Sequence, residues 1–201
     1  MGEMASFYKC ALQVNSFTYA KYRGKKPDEE EHYNQNILKH CLDNDIKIVG
    51  LADHGSVTSS ESLREYLSEH GIVVFPGFEI STAEKIHIVC LFSDELDFVK
   101  LNQILGALGL SQTSNGTEPS ELSCLEIAEK IEKHGGFWYA AHITNDNGIL
   151  KIHQMQHIWK SDKLVAAQIP GGLDEIDPDY KNIINNTDKI YFRNRKPAYI
   201  N

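Results

Sequence analysis

A chain of 201 residues with 41% hydrophobic content can bury a core, and its length fits one domain better than two. Its net charge of −8 disfavours non-specific binding to a phosphate backbone, and Lys25-Lys26 and Arg193-Asn194-Arg195-Lys196 are too short for a nucleic-acid tail, although a small phosphate substrate stays open. No apolar run approaches the about 20 residues of a membrane span, and "MGEMASFYKC" lacks the apolar segment of a signal peptide, so a cytoplasmic protein with no membrane partner is expected.

In chain order, Tyr33, Ile37, Leu38, Cys41 and Leu42 fall on one helical stripe. "IKIVGL" (46–51) is an apolar β-rich run that ends abruptly in "ADHGS". Ser60, Leu63, Tyr66 and Leu67 make a second helix, stopped at Gly71, and "IVVF" (72–75) follows as a strand. "IHIVCLF" (86–92) is the next strand, and "SQTSNGTEPS" (111–120) a surface loop. Ser123 and Glu126 form a capping box for a helix carrying Ile127, Ala128 and Ile131, stopped by Gly135-Gly136. "FWYAA" (137–141) and "LVAAQI" (164–169) are further strands, and "PGGLDEIDPDYKN" (170–182) a second loop. Such continuous apolar runs suit strands covered on both faces. Alternating β and α units imply an α/β protein with a largely parallel sheet, open or closed into a barrel. The four cysteines show no CxxC spacing, and three lie in apolar-periodic segments, as reduced core thiols do.

Polar residues stand at the strand ends. Asp53 and His54 follow 46–51, Glu79 follows 72–75 through the turn Pro76-Gly77, and His142 follows 137–141. In parallel α/β folds those ends gather on one face, where sites are built. His87 lies in "IHIVCLF" on the face opposite Ile86 and Ile88, and joins the cluster if that face points inward. Either these residues share a site for metal or proton transfer, or Asp53 and His54 form a polar turn. His153 and His157 have helical spacing with no third ligand nearby, and the remaining histidines read as surface or cap residues. Arg193 and Arg195 are either phosphate contacts at a barrel mouth or part of a solvated loop.

Four segments carry a family resemblance. "LADHGSV", "FPGFEIST", "HIVCLF" and "KHGGFWYAAHIT" resemble, in order and spacing over roughly residues 7 to 145, the motifs of the PHP (polymerase and histidinol phosphatase) family. The resemblance implies a distorted (β/α)7 TIM-like barrel. It also implies a multinuclear site of Zn, Mn or Fe that hydrolyses phosphate esters. The opening "FYKCALQVNS" is similar to PHP domains at the N-terminus of large ATPases, several linked to phage defence, which makes an ATPase domain in the chain or in a complex an expected partner.

The same resemblance assigns roles. His54, Glu79, His87 and His142 are the expected metal ligands, Glu79 the bridging carboxylate, and Glu79, His54 and Asp53 the catalytic group, with Asp53 orienting a ligand or else capping its turn. Departures are plain. The family's first-strand acid and two histidines are replaced by Ala11, Gln13 and Asn15, and an amide is a poor substitute for imidazole at Zn²⁺. Neither Tyr19 nor Ala20 supplies the next ligand. "KPAYIN" reads as the late strand before a family D-x-H pair, yet Asn201 is the last residue, so a barrel incomplete at its C-terminus, the N-terminal part of a longer protein, is expected. About half of the family's ligand positions remain, enough for one ion or two weakly held. The expected function is hydrolysis of phosphate esters, of small molecules or nucleic-acid ends, with a reduced metal site. The alternative is an inactive PHP module that binds a nucleotide or nucleic acid or docks an ATPase.

Overall fold

The computed structural model describes residues 7–25, 29–110 and 118–200. The chain opens with strand β1 (Lys9–Val14), helix α1 (Phe17–Tyr22) and helix α2 (Glu30–Asp43). Strands β2 (Ile46–Leu51) and β3 (Asp53–His54) follow, then α3 (Glu61–Glu69), β4 (Val73–Phe75), β5 (Gly77–Ser81) and β6 (His87–Leu91). Helices α4 (Phe98–Gly106) and α5 (Cys124–Lys133) precede β7 (Phe137–Ala140). The rest is α6 (Gln156–Trp159), β8 (Ala166–Gln168), α7 (Pro178–Ile184) and β9 (Ala198–Ile200).

The strands form two ladders, β1-β2-β4 and β3-β5-β6-β7-β8-β9. They share chain. β2 runs into β3 across Ala52, and β4 into β5 across Pro76, which has no N–H to donate and so interrupts the pairing. Across that break the order is one seven-position sheet from β1 to β9. Its inward side chains, Leu12, Phe75, Val89, Tyr139, Ala166 and Ile200 among them, pack as one cluster that takes in both edges. Tyr139 donates to the Leu12 carbonyl at 2.9 Å across that interior. The sheet curls as the expected barrel does, but no strand pairing closes it among the described residues: β1 and β9 are not hydrogen-bonded to each other.

The expected parallel order fails at one strand. β6 is antiparallel to both β5 and β7. The link 82–86 is too short for a crossover, which takes a dozen residues or more, and suffices for a hairpin. Two helices, α4 and α5, then cover the outer face, where Ile104, Ile127 and Ile131 pack with Phe78, Ile88 and Trp138 in the main core. α5 starts at the expected capping box of Ser123 and Glu126. A second cluster holds α2 and α3 on β2 and β4 through Leu38, Cys41, Leu63 and Leu67.

Two loop expectations need amendment. Within 170–182 the chain forms a 3-10 turn and enters α7, because Asp177 accepts the Asp179 N–H at 3.0 Å and Pro178 has the φ of a first helical turn. Ile183 and Ile184, just beyond that stretch, bury the helix in the core. The loop at 111–120 lies outside the described residues except for 118–120, where Ser120 is buried and its N–H bonds the Ser81 carbonyl at 2.7 Å. Among the described residues no helix is long and apolar enough to cross a membrane. Cys10 is exposed, while Cys41, Cys90 and Cys124 are buried free thiols.

Candidate metal centre

Glu79 sits inside β5, not after β4 as its distance from "IVVF" suggested. His54 ends β3 and His87 begins β6. The three meet because β3 pairs with β5 at His54↔Glu79, while the reversed β6 brings its first residue to the same rim, at Ser81↔His87. One ligand atom of each lies within 4.8 Å of the other two. His142 follows β7 and brings its Nε2 to 3.3 Å from Glu79 Oε1. The His87 ring lies between the other two imidazoles, with centroids 4.7 Å from His54 and 5.1 Å from His142.

The Glu79 carboxylate gathers donors. His87 Nδ1 lies 2.7 Å from Oε1, and the Gln13 amide donates to Oε2 at 2.6 Å. Burial on its own raises the pKa of Glu79. Hydrogen bonds from His142 and His87, with the charges of His87 and His54, outweigh that and hold the carboxyl well below the usual range. Glu79 is therefore an anion at neutral pH inside a ring of nitrogen donors.

Local structure fixes each imidazole. Asn147 grips His87 twice: its carbonyl accepts the His87 N–H at 2.9 Å, and its amide nitrogen lies 3.1 Å from His87 Nε2. His142 has φ of 28°, and its N–H donates to Gln168 Oε1 at 2.9 Å on β8. The loop returns so tightly that a Cβ at Gly148 would stand 2.4 Å from the His142 carbonyl oxygen, so only glycine fits there. Asn147, Gly148 and Gln168 were not singled out from the sequence; the turn string "NDNG" after His142 was the one signal for the first two, and Gln168 had none.

The other expected site residues have different places. Asp53 is fully buried and accepts from Ser16 N at 2.8 Å, Ser16 Oγ at 2.5 Å and Ser59 Oγ at 2.6 Å. This ties the start of α1 to the end of β3. Asn15 donates to the Ala52 carbonyl at 2.8 Å. Arg193 is not free to meet a phosphate. Its guanidinium is buried, bonds the carbonyls of Leu164, Ser161 and Arg195 at 2.7, 3.1 and 3.0 Å, and lies 6.0 Å from the Trp159 ring. The aromatic neighbour and three carbonyls make it a clamp on the 161–164 turn. Arg195 is exposed, and neither arginine lines the pocket over the cluster. His157 stands on the short α6, and its Nδ1 faces the Gln154 carbonyl.

Imidazole nitrogen with one carboxylate is the donor set of Zn, Mn or Fe. His142 turns its Nε2 to Glu79, and its Nδ1 is buried with no hydrogen-bond partner among the described residues. The residues present fit a divalent ion held by His54, Glu79 and His87 with His142 beside them. Gln13 occupies the second carboxylate oxygen, which Glu79 would need to bridge two ions.

No family model and no curated protein matches the sequence. Solved structures do resemble the fold. The lesion-specific endonuclease PfuEndoQ from Pyrococcus furiosus superposes with a TM-score of 0.59 at 16% identity, over 96% of this chain and 48% of that one. Endonuclease Q, in complex with a 27-mer duplex substrate with an abasic lesion at the active site, gives 0.57 at 15% identity, over 87% and 45%. This chain thus spans less than half the length of either endonuclease. The likeness is one of fold: the chain takes an α/β fold that these endonucleases share, which supports the PHP-type architecture its motifs resemble.

Proposed function

We propose that the chain is a PHP-type domain that holds about one divalent ion, Zn, Mn or Fe, and hydrolyses phosphate esters. The observation that carries this is the convergence of His54, Glu79 and His87 within 4.8 Å, from three strands, with His142 on the same carboxylate. An ion bound there polarises a phosphoryl oxygen and lowers the pKa of bound water. The chain's own groups set the stage. The ionised Glu79 supplies the negative charge that attracts a cation, Asn147 fixes the His87 ring, and Gln13 holds the outer carboxylate oxygen by donating to it. Nucleic-acid ends belong to the proposed substrate class, as do the nucleic-acid substrates of the endonucleases that share the fold. The reading also includes an ATPase domain as partner, supported by the similarity of "FYKCALQVNS" to PHP domains that precede ATPases.

A second reading, a binding module without turnover, is favoured by the 2.6 Å Gln13–Glu79 bond, which fills a place where a second ligand to metal is expected. One experiment separates the two. Protein purified without chelator is analysed for metal and assayed with Mn²⁺ against p-nitrophenyl phosphoesters and short oligonucleotides. The hydrolytic reading expects up to about one ion per chain and slow turnover that vanishes in Glu79→Ala. Metal bound without turnover supports the binding module. Three tightly held ions, or activity indifferent to Glu79→Ala, refute the assigned ligand set.

A further inference from the structure

The pocket over the cluster has a volume of about 1110 Å³, above the ~300–1,000 Å³ of small-molecule sites. One phosphoryl group leaves most of it empty. The chain carries −8, yet Arg23, Lys25 and Lys151 all line this pocket, and among the described residues Asp146 is the single rim acid outside Glu79. Among the described residues none of the three cations is in an ion pair.

Two of these cations are placed by the end of α1. Lys25 N–H bonds the Ala20 carbonyl at 3.1 Å and Gly24 N–H the Lys21 carbonyl at 3.1 Å, with Gly24 at φ 77°. This is a Schellman closure, which needs the left-handed glycine and folds Lys25 back beside Arg23. The same helix carries two tyrosines. Tyr19 lines the pocket, and Tyr22, 57% exposed, lies next to it with ring centroids 6.2 Å apart. Burial raises the Tyr19 pKa, Glu79 adds to this and Arg23 opposes it.

A half-buried ring in the pocket and an exposed ring beside it, next to cations with no ion pair among the described residues, match the chemistry of single-stranded nucleic acid: bases stack and phosphates pair. We propose that the C-terminal half of α1 is a track for a single strand, with bases on Tyr19 and Tyr22 and phosphates along Arg23, Lys25 and Lys151, leading a strand end to Glu79. A duplex keeps its base faces stacked away from such rings. The identity of the reacting group rests on the phosphoesterase reading; the binding does not.

The test is fluorescence anisotropy with a labelled 12-nucleotide oligo-dT, a duplex of equal length and AMP as competitor, on the whole chain in EDTA. Metal content is measured in parallel without chelator. The expected result is at least tenfold preference for the single strand. Tyr22→Ala should weaken binding about fivefold or more, with Tyr22→Phe restoring it. Arg23→Ala combined with Lys25→Ala should reduce the log–log salt slope by about 1.4. Equal affinity for duplex, full competition by equimolar AMP, or Tyr22→Phe as weak as Tyr22→Ala would overturn the track. Strand binding without metal loading refutes the phosphoesterase reading alone; metal loading without strand binding refutes the track alone.

Discussion

Asp53 offers a direct separation of anchoring from chemistry. It is fully buried, and its carboxylate takes one main-chain N–H and two hydroxyls at 2.5–2.8 Å. Hydrogen bonds to a charged acceptor are each worth about 1.5–3 kcal/mol. Asp53→Ala removes the acceptor for all three and strands the Ser16 N–H. The two hydroxyls recover part of the loss by turning to other partners, which leaves a cost of about 3–5 kcal/mol. Asp53→Asn keeps Oδ1 for the Ser16 N–H, and the Ser16 and Ser59 hydroxyls can rotate to accept from the new amide, so its cost should be about 1–2 kcal/mol. Urea unfolding at constant m reads the difference as separate midpoints, and elemental analysis reads the bound metal. An anchoring Asp53 gives an Asn variant close to wild type in stability and metal. An Asn variant as unstable as the Ala variant would refute the hydrogen-bond reasoning. A stable Asn variant that has lost its metal would show that the charge serves the ion.

Three further outcomes follow from the packing. Gly77→Ala places a Cβ 2.1 Å from the Cys90 carbonyl oxygen and 3.0 Å from that of Leu51; since neither backbone can yield cheaply, the thermal midpoint should fall by roughly 5 °C or more in calorimetry, and an unchanged midpoint would contradict the packing of β5 on β6. Burial pushes the Cys124 thiol up to about 12. The unfolded chain then releases that proton near pH 9 while the folded chain holds it, so stability falls as pH rises from about 9 towards 12; Cys124→Ala should flatten this decline in urea titrations at pH 8 and pH 10. Arg193→Met removes the guanidinium from three carbonyls, of which that of Ser161 keeps the Leu164 N–H, and should cost about 2–3 kcal/mol while the metal content stays that of wild type; loss of metal would reassign Arg193 to the site.

Much of the site was legible because strand ends are read from composition. The runs 46–51 and 137–141 point straight at His54 and His142, and alternation around Ile86 and Ile88 turns His87 the other way. Glu79 was placed on the right rim for the wrong reason, as a residue after a strand instead of within one, because Pro76-Gly77 looks like a turn and β5 keeps few β-rich residues. The reversal of β6 was missed, because "FEIS" was not read as a strand; once it is one, residues 82–86 leave no room for a crossover helix. Asn147 and Gln168 were not legible, since hydrogen bonds between a loop and a strand 60 or 26 residues apart leave no periodic trace. Arg193 misled because a basic cluster near a chain end reads as solvated, whereas three carbonyls and an indole had drawn one member inside.

The hairpin of β5 and β6 also bears on assembly order. Its two strands are joined by residues 82–86, whereas the other pairings join segments much farther apart in sequence. Loop-closure entropy makes this the least costly sheet contact for a nascent chain to form. Glu79 and His87, which stand on its two strands and meet diagonally at 2.7 Å, can therefore come together by local chain closure before the long-range topology is in place, and His54 and His142 arrive at a half-built nest.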